Sequence, residues 1–380
     1  MGSFESQGSR QPPPASIKEY VTMARVYNFS AGPAVLPLEA LQEAQADLVD
    51  YKGSGMSVME MSHRGKEYDA LHNEAIANVK ELMGLSDDYA ILFLQGGASL
   101  QFAMAPMNFL SEGQTADYVN AGSWGSAAVK QARLIGNVNV VADTQKDIPT
   151  RMPNFAEVKW TPGAAYSHIT TNETIAGTQL SAIPDTGSPL IADMSSDILS
   201  RPRDYGKFAM IYAGAQKNLG PSGVALVAIR KDFAAKGSIS LPTMLRYQTH
   251  IEANSLYNTP PCFSIYMICL TTRWLKKFGL QNMFKQNREK AQFIYDVIDA
   301  SSFYRGTAKK EDRSDMNITF RLPTEELEAL FIKQASEHGM KQLKGHRSVG
   351  GIRASIYNAF PVAGVHTLVD FMKDFEKRNG

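Results

Sequence analysis

Four short stretches of this 380-residue sequence carry side chains whose types and settings suit one kind of chemistry. Lys217 stands in Ala213-Gly214-Ala215-Gln216-Lys217-Asn218-Leu219-Gly220, after an apolar run at 208–212 and before another at 224–229. A lysine at a strand end can shed its charge and meet an aldehyde as a Schiff base. Standing alone between two glycine-bearing turns, it also reads as a solvated side chain. Asp193 closes the apolar run 189–192, where a carboxylate can keep an aromatic ring nitrogen protonated or simply cap a helix. Gln95-Gly96-Gly97-Ala98-Ser99 forms a glycine turn after the run 89–94. Bare amides and a helix dipole there suit a phosphate, and the Ser99 hydroxyl adds a donor. Trp124, in Gly122-Ser123-Trp124-Gly125, can stack on an aromatic ring or fill a core.

A second set is cationic. His63-Arg64 and His346-Arg347 are two His-Arg pairs, and Arg353 follows the second pair after the Gly350-Gly351 turn, at the start of an expected strand. Guanidinium forks at two places are what recognition of a substrate with two anionic groups requires. Any one of these arginines alone would read as a surface ion pair.

These residues need a scaffold that presents strand ends to one site. Short apolar runs at 89–94, 189–192, 208–212 and 224–229, bounded by Gly, Pro, Asp or Ser, predict buried strands. From Lys66 to Met83, Tyr68, Leu71, Ala75, Val79 and Leu82 recur at three- and four-residue steps, as one helix face requires. Alternation of this kind predicts an α/β domain with a mainly parallel sheet. After Pro260-Pro261, residues 263–300 read as two helices parted near Gly279. The remainder reads as strand 316–322, helix 324–338, strand 352–357 and a last helix from Val365. The predicted division is a leader or added arm at 1–24, an N-terminal segment with the large domain at 25–264, and a smaller C-terminal α+β domain at 265–380.

Composition excludes several classes. Hydrophobic residues at 44% and charged residues at 20% are ordinary for a globular chain. With 39 basic and 38 acidic side chains the net charge is +1, so no global field draws nucleic acid or anionic lipid. No apolar run is long enough to span a bilayer. Met1-Gly2 with Ser6 fits a loose lipidation pattern but has no polybasic partner, so no membrane anchor is expected. Cys262 and Cys269 offer neither a disulfide framework nor a zinc site, and a reducing cytoplasmic compartment is expected. Neither the Rossmann nor the Walker glycine fingerprint occurs.

Phosphate turn, aromatic stacker, carboxylate and lysine follow one another in that order, each at a strand end. In this order the chain resembles the fold-type-I pyridoxal-phosphate enzymes. Four blocks narrow the likeness: Tyr27-Asn28-Phe29-Ser30-Ala31-Gly32-Pro33-Ala34; Met61-Ser62-His63-Arg64-Gly65-Lys66; Ala215 to Gly220; and Gly345-His346-Arg347 through Arg353-Ala354-Ser355-Ile356-Tyr357-Asn358. With them the chain is similar, from Tyr27 to Lys377, to the phosphoserine aminotransferase group of the class-V aminotransferases. Leu100 stands where that group is expected to have glycine or another small residue.

The resemblance implies pyridoxal 5'-phosphate bound as a Schiff base on Lys217, with Asp193 at the ring nitrogen. It implies that Ala98, Ser99, Trp124, Thr174, Asp193 and Gln216 bind the cofactor, and that Asn258 and Thr259 reach its phosphate from a partner subunit of a homodimer. Arg353 is implied to hold the α-carboxylate, and His63, Arg64, His346 and Arg347 the distal anion. The implied reaction joins 3-phosphohydroxypyruvate and glutamate to O-phosphoserine and 2-oxoglutarate, in serine biosynthesis. A serine-glyoxylate type of aminotransferase needs no such distal site, and a cysteine desulfurase needs a cysteine on a mobile loop, whereas Cys262 and Cys269 flank an expected helix start. A non-catalytic α/β scaffold is the alternative from another class.

Overall fold

The computed structural model describes residues 25–380, so the expected leader at 1–24 lies outside the described residues. A seven-stranded sheet carries the site. Its spatial order is Tyr89–Leu94, Ala225–Arg230, Met210–Gly214, Leu190–Asp193, Ser167–Thr170, Thr115–Asn120 and Asn137–Asp143. Ala225–Arg230 runs antiparallel to both its neighbours, and all the other pairings are parallel. The predicted mainly parallel sheet is therefore present. Strands Thr115–Asn120, Asn137–Asp143 and Ser167–Thr170 were not apparent from apolar runs. Thr115–Asn120 contains a fully buried aspartate, Asp117, whose carboxylate accepts from the Thr161 amide at 2.6 Å and hydroxyl at 2.7 Å.

Helix Lys66–Met83 spans the predicted residues and ends at Gly84 in the left-handed conformation, with φ 61°. It packs its Tyr68, Leu71, Ala75 and Val79 face into the core beneath one side of the sheet. Helices Cys262–Phe278 and Leu280–Ala300 part at Gly279, as the sequence predicts. The first places Ile265, Tyr266, Ile268 and Leu275 in the large core. The second reaches a separate core, which takes in Ala291 to Phe375 and also Phe29.

That second core lies under a three-stranded antiparallel sheet, Arg305–Gly306, Asn317–Arg321 and Ile352–Ser355, with helices Glu325–Glu337 and Val362–Asn379. The N-terminal strand Tyr27–Asn28 pairs with Met340–Lys341, so the segment after it crosses from the second core toward the large sheet. Ala34 donates its amide to the carbonyl of Gln216 at 2.9 Å, which sets the Ser30–Pro33 turn beside Lys217.

Candidate functional site

Lys217 begins where strand Met210–Gly214 breaks into a turn. Its side chain is buried, and its Nζ donates to Thr174 Oγ1 at 2.8 Å. The same Nζ lies 5.5 Å from the centre of the Trp124 ring. Burial drives the lysine pKa down from 10.5 to about 8; Asp193 and Glu173 oppose this, and Arg353 adds to it. An amine held near neutrality is both nucleophile and base at ordinary pH.

Asp193 closes strand Leu190–Asp193, two strands in from the antiparallel edge pair. Burial raises its pKa, while the bonds from Ser195 and the charge of Lys217 lower it. Ser195 donates to Asp193 Oδ1 from its amide at 2.9 Å and its hydroxyl at 2.6 Å. The Ser195 hydroxyl in turn accepts from the Gly214 amide at 3.0 Å, so one serine ties the carboxylate to the lysine strand.

The glycine turn feeds helix Gly97–Phe109 as predicted, with Gly96 at φ 86° and no side chain capping the first amides. Leu100 folds back over Gly96: a Cβ added there would sit 2.6 Å from the leucine side chain. The unexpected leucine therefore packs against the glycine turn, and glycine is required at position 96. Ala98 is half-buried and Ser99 is exposed on this helix N-terminus.

Trp124 stands in the first turn of helix Ser123–Ala132. Here the structure shows a group that sequence reading missed, Glu173. Its buried carboxylate accepts from the amides of Trp124 at 3.1 Å and Gly125 at 2.7 Å, filling the place of a capping side chain. A Cβ on Gly122 would lie 2.5 Å from the Glu173 carboxyl carbon, so glycine is required for this approach. Burial raises the Glu173 pKa to about 7.

Gln216 is half-buried, packed under Gly32. Tyr357 is a second addition; its hydroxyl donates to the Ala31 carbonyl at 2.9 Å and accepts from Asn317 at 3.1 Å.

A cavity of about 680 Å³ is lined by Ser123, Ile175, Gly345, His346 and Arg353, among others. Ser123 and Ile175 adjoin Trp124 and Thr174 in sequence, which sets this cavity at the mouth of the lysine site. Arg353 enters it from strand Ile352–Ser355, and His346 from the loop before, where its Nδ1 lies 2.7 Å from Ser348 Oγ. Arg347 is exposed beside them. His63 lies elsewhere: with Thr259, Pro260 and Cys262 it lines a separate cavity of about 490 Å³, and Arg64 is exposed next to it. Asn258 donates to the Thr259 carbonyl at 3.1 Å, and Gln95 donates to that same carbonyl at 3.2 Å. The fold thus gathers Lys217, Asp193, Thr174, Trp124, Arg353 and His346. It places His63, Arg64, Asn258 and Thr259 as a second group.

The donor set suits pyridoxal phosphate. A buried near-neutral amine matches its aldehyde, and a buried carboxylate its ring nitrogen. An indole facing the amine matches its ring, and an uncapped helix N-terminus its phosphate. Trp124 Nε1 is itself buried with no partner among the described residues. No group of three or more His, Cys, Asp or Glu among these residues could hold a metal ion. Nor is any helix among them long and apolar enough to cross a membrane.

Comparison with known proteins agrees with this site. The profile of the family described as aminotransferase class-V matches residues 26–368. The chain is 54% identical over 360 residues to a phosphoserine aminotransferase of Desulfosudis oleivorans, covering 94% of this chain and 99% of that protein. The solved phosphoserine aminotransferase from Bacillus circulans subsp. alkalophilus superposes with a TM-score of 0.92 at 56% identity, covering 94% of this chain and 99% of the other. The pyridoxal-phosphate-bound phosphoserine aminotransferase from Trichomonas vaginalis does so with a TM-score of 0.88 at 39% identity, covering 92% and 100%.

Proposed function

The chain belongs to the class-V aminotransferases, and from that premise we propose how its own residues carry the reaction. It is a pyridoxal-phosphate-dependent transaminase that exchanges the amino group of glutamate with 3-phosphohydroxypyruvate, giving 2-oxoglutarate and O-phosphoserine. The observation that carries the residue assignment is the buried Lys217 amine, held by Thr174, faced by Trp124 and opposed by Asp193.

The cofactor, when bound, supplies the electron sink that makes the substrate α-proton acidic. Asp193, oriented by Ser195, would keep the ring nitrogen protonated. Trp124, anchored through Glu173, and Gln216 would hold the ring. The free amides of Gly97, Ala98 and Ser99 with the Ser99 hydroxyl take the phosphate. Lys217 Nζ, oriented by Thr174, would take the substrate α-proton as general base and give it back as general acid. Arg353 fixes the α-carboxylate, which is common to both amino acids. His346 faces the distal anion from the same cavity, and Arg347 stands exposed next to it. Phosphate and γ-carboxylate reach similar depths, so one pocket serves both substrates. A coupled assay tests this: O-phosphoserine should react far faster than serine or alanine, and equal rates would refute a distal anion site.

His63 and Thr259 line a cavity that includes none of the residues around Lys217, with Arg64 and Asn258 next to them in sequence, and the Thr259 carbonyl accepts from Gln95 at the glycine turn. We infer that His63, Arg64, Asn258 and Thr259 complete the site of a second copy of the chain in a homodimer. Mixing an inactive Lys217→Ala chain with one altered at both Asn258 and Thr259 should restore activity once subunits exchange. Exchanged heterodimers as inactive as their parents would rule out the shared site. The division of the chain falls, on our reading, inside helix Leu280–Ala300 rather than at 264/265, because residues through Met283 join the large core and the second core takes up from Ala291. Cytoplasmic placement rests on the two unpaired cysteines.

A further inference from the structure

Lys290 is fully buried on helix Leu280–Ala300, between Asn287 and Ile294 on the same face. No carboxylate among the described residues pairs with it; burial alone sets its pKa, pulling it down to about 7. Its Nζ donates instead into a cluster of backbone carbonyls: Tyr357 at 2.8 Å, Ile356 at 3.1 Å and Phe360 at 3.2 Å, with Asn358 at 3.5 Å. Below about pH 7 the nitrogen carries three protons and satisfies such a cluster as a bound cation would, and above it two donors remain. Without it, the buried Ile356 and Phe360 carbonyls would lose this donor, at a considerable penalty each, while the Tyr357 carbonyl would keep the Phe360 amide at 2.9 Å.

The carbonyls belong to the turn that follows strand Ile352–Ser355, the strand carrying Arg353. This turn grips the lysine site from two sides. The Asn358 amide donates to Asn218 Oδ1 at 3.0 Å, one residue from Lys217, and the Asn358 side chain donates to the Leu199 carbonyl at 2.9 Å. Tyr357 sends its hydroxyl to the Ala31 carbonyl, over the turn that packs on Gln216 and Lys217. Asn287, one helical turn before Lys290, donates to Asn358 Oδ1 at 2.8 Å and to the Ser200 carbonyl at 3.0 Å. One helix face thus clasps a turn shared by the α-carboxylate clamp and the catalytic lysine.

We propose that Lys290 is a positioning residue for the reaction: its buried Nζ gathers the 356–360 carbonyls and thereby fixes the Arg353 strand relative to the Lys217 turn. This rests on the assignment of Lys217 and Arg353 above. The two groups belong to different cores, and the substrate must touch both at once. A misplacement of about 1 Å between them costs on the order of a hundredfold in rate.

The test uses the cofactor-loaded enzyme and Lys290→Met, which keeps the stem and removes the donors. Circular dichroism and the thermal midpoint establish that the variant is folded. It is expected to lose at least about tenfold in kcat/KM for glutamate and O-phosphoserine alike. The pH midpoint of its visible absorbance should also move, because the surroundings of Lys217 shift, a change that lowered stability alone does not produce. A folded variant with the parent's kcat/KM and the parent's absorbance titration overturns the proposal. Should Lys290→Met fail to fold, Asn218→Ala keeps Lys290 and its carbonyls and cuts the link to Asn358, together with the bond of the Asn218 side chain to the Ile198 carbonyl. It must then show the same loss and the same spectral shift, and behaviour like the parent overturns the proposal. Borohydride reduction of the parent separates the two failures: label absent from the Lys217 peptide would strike the assignment on which the role rests, whereas label on Lys217 with parent-like Lys290→Met kinetics and spectra strikes the role of Lys290 alone.

Discussion

Replacing Lys217 by methionine should stabilise the cofactor-free protein at neutral pH and lose that advantage in alkali. Folding buries Nζ and brings its pKa from 10.5 to about 8. That gap corresponds to about 3 kcal/mol of penalty on the charged folded form. The value near 8 already contains the attraction of Asp193 and Glu173 and the repulsion of Arg353. Below pH 8 both folded and unfolded chains carry the proton, and the folded state bears the whole penalty. Between pH 8 and 10.5 the unfolded chain holds a proton that the folded chain has released, so the parent gains stability as pH rises. Above that window the penalty is gone. Methionine keeps most of the stem but forfeits the hydrogen bond to Thr174 Oγ1, which costs about 1 kcal/mol. The variant should therefore be more stable than the parent by about 2 kcal/mol at pH 7 and less stable by about 1 kcal/mol above pH 10.5. Urea unfolding of both cofactor-free proteins, at one protein concentration and a series of pH values, measures the difference. Buried groups not coupled to Lys217, such as Lys290, are common to both chains and cancel, whereas Asp193 and Glu173 lose the Lys217 charge that lowers their pKa values. A difference that stays constant from pH 7 to 10.5, or a variant less stable at pH 7, would refute the argument that burial neutralises this lysine.

Borohydride reduction of the cofactor-loaded protein followed by peptide mapping should place the label on Lys217, and label on another lysine would sink the assignment. Arg353→Lys should lower kcat/KM for glutamate and O-phosphoserine together, by about tenfold or more, because a single ammonium cannot reproduce the fork on their shared α-carboxylate. A loss confined to one substrate would mean that Arg353 reads the distal anion. Glu173→Gln leaves one acceptor oxygen where the carboxylate serves the amides of Trp124 and Gly125. Cofactor affinity, followed by quenching of tryptophan fluorescence, should fall by about tenfold, the equivalent of one lost hydrogen bond to a charged group. Unchanged affinity would separate Glu173 from the placement of Trp124.

What could be read in advance was whatever local pattern determines. The Lys66–Met83 helix declares itself because its apolar spacing and the following Gly84 act over a few residues. The Lys217 turn declares itself because strand, glycine and lysine are neighbours. Glu173 had no such signal. In Thr170-Thr171-Asn172-Glu173-Thr174 it looks like part of a polar loop, and only the folded sheet carries it to a helix start in another part of the chain. Strand Thr115–Asn120 was hidden for the same reason, since Asp117 breaks the apolar pattern and finds its partners in Thr161. Lys290 differs from both, because a signal was present. Met283, Asn287, Lys290, Ile294 and Val297 fall at three- and four-residue steps along helix Leu280–Ala300, and all are buried. The local run Asn287-Arg288-Glu289-Lys290 reads as a solvated face, yet helical geometry puts its first and last residues on the apolar stripe. A lysine at that position must find oxygen partners inside the protein. The turn that supplies them is the one joining Arg353 to Asn218, so the same burial that makes Lys290 an unlikely core residue connects it to the reacting centre.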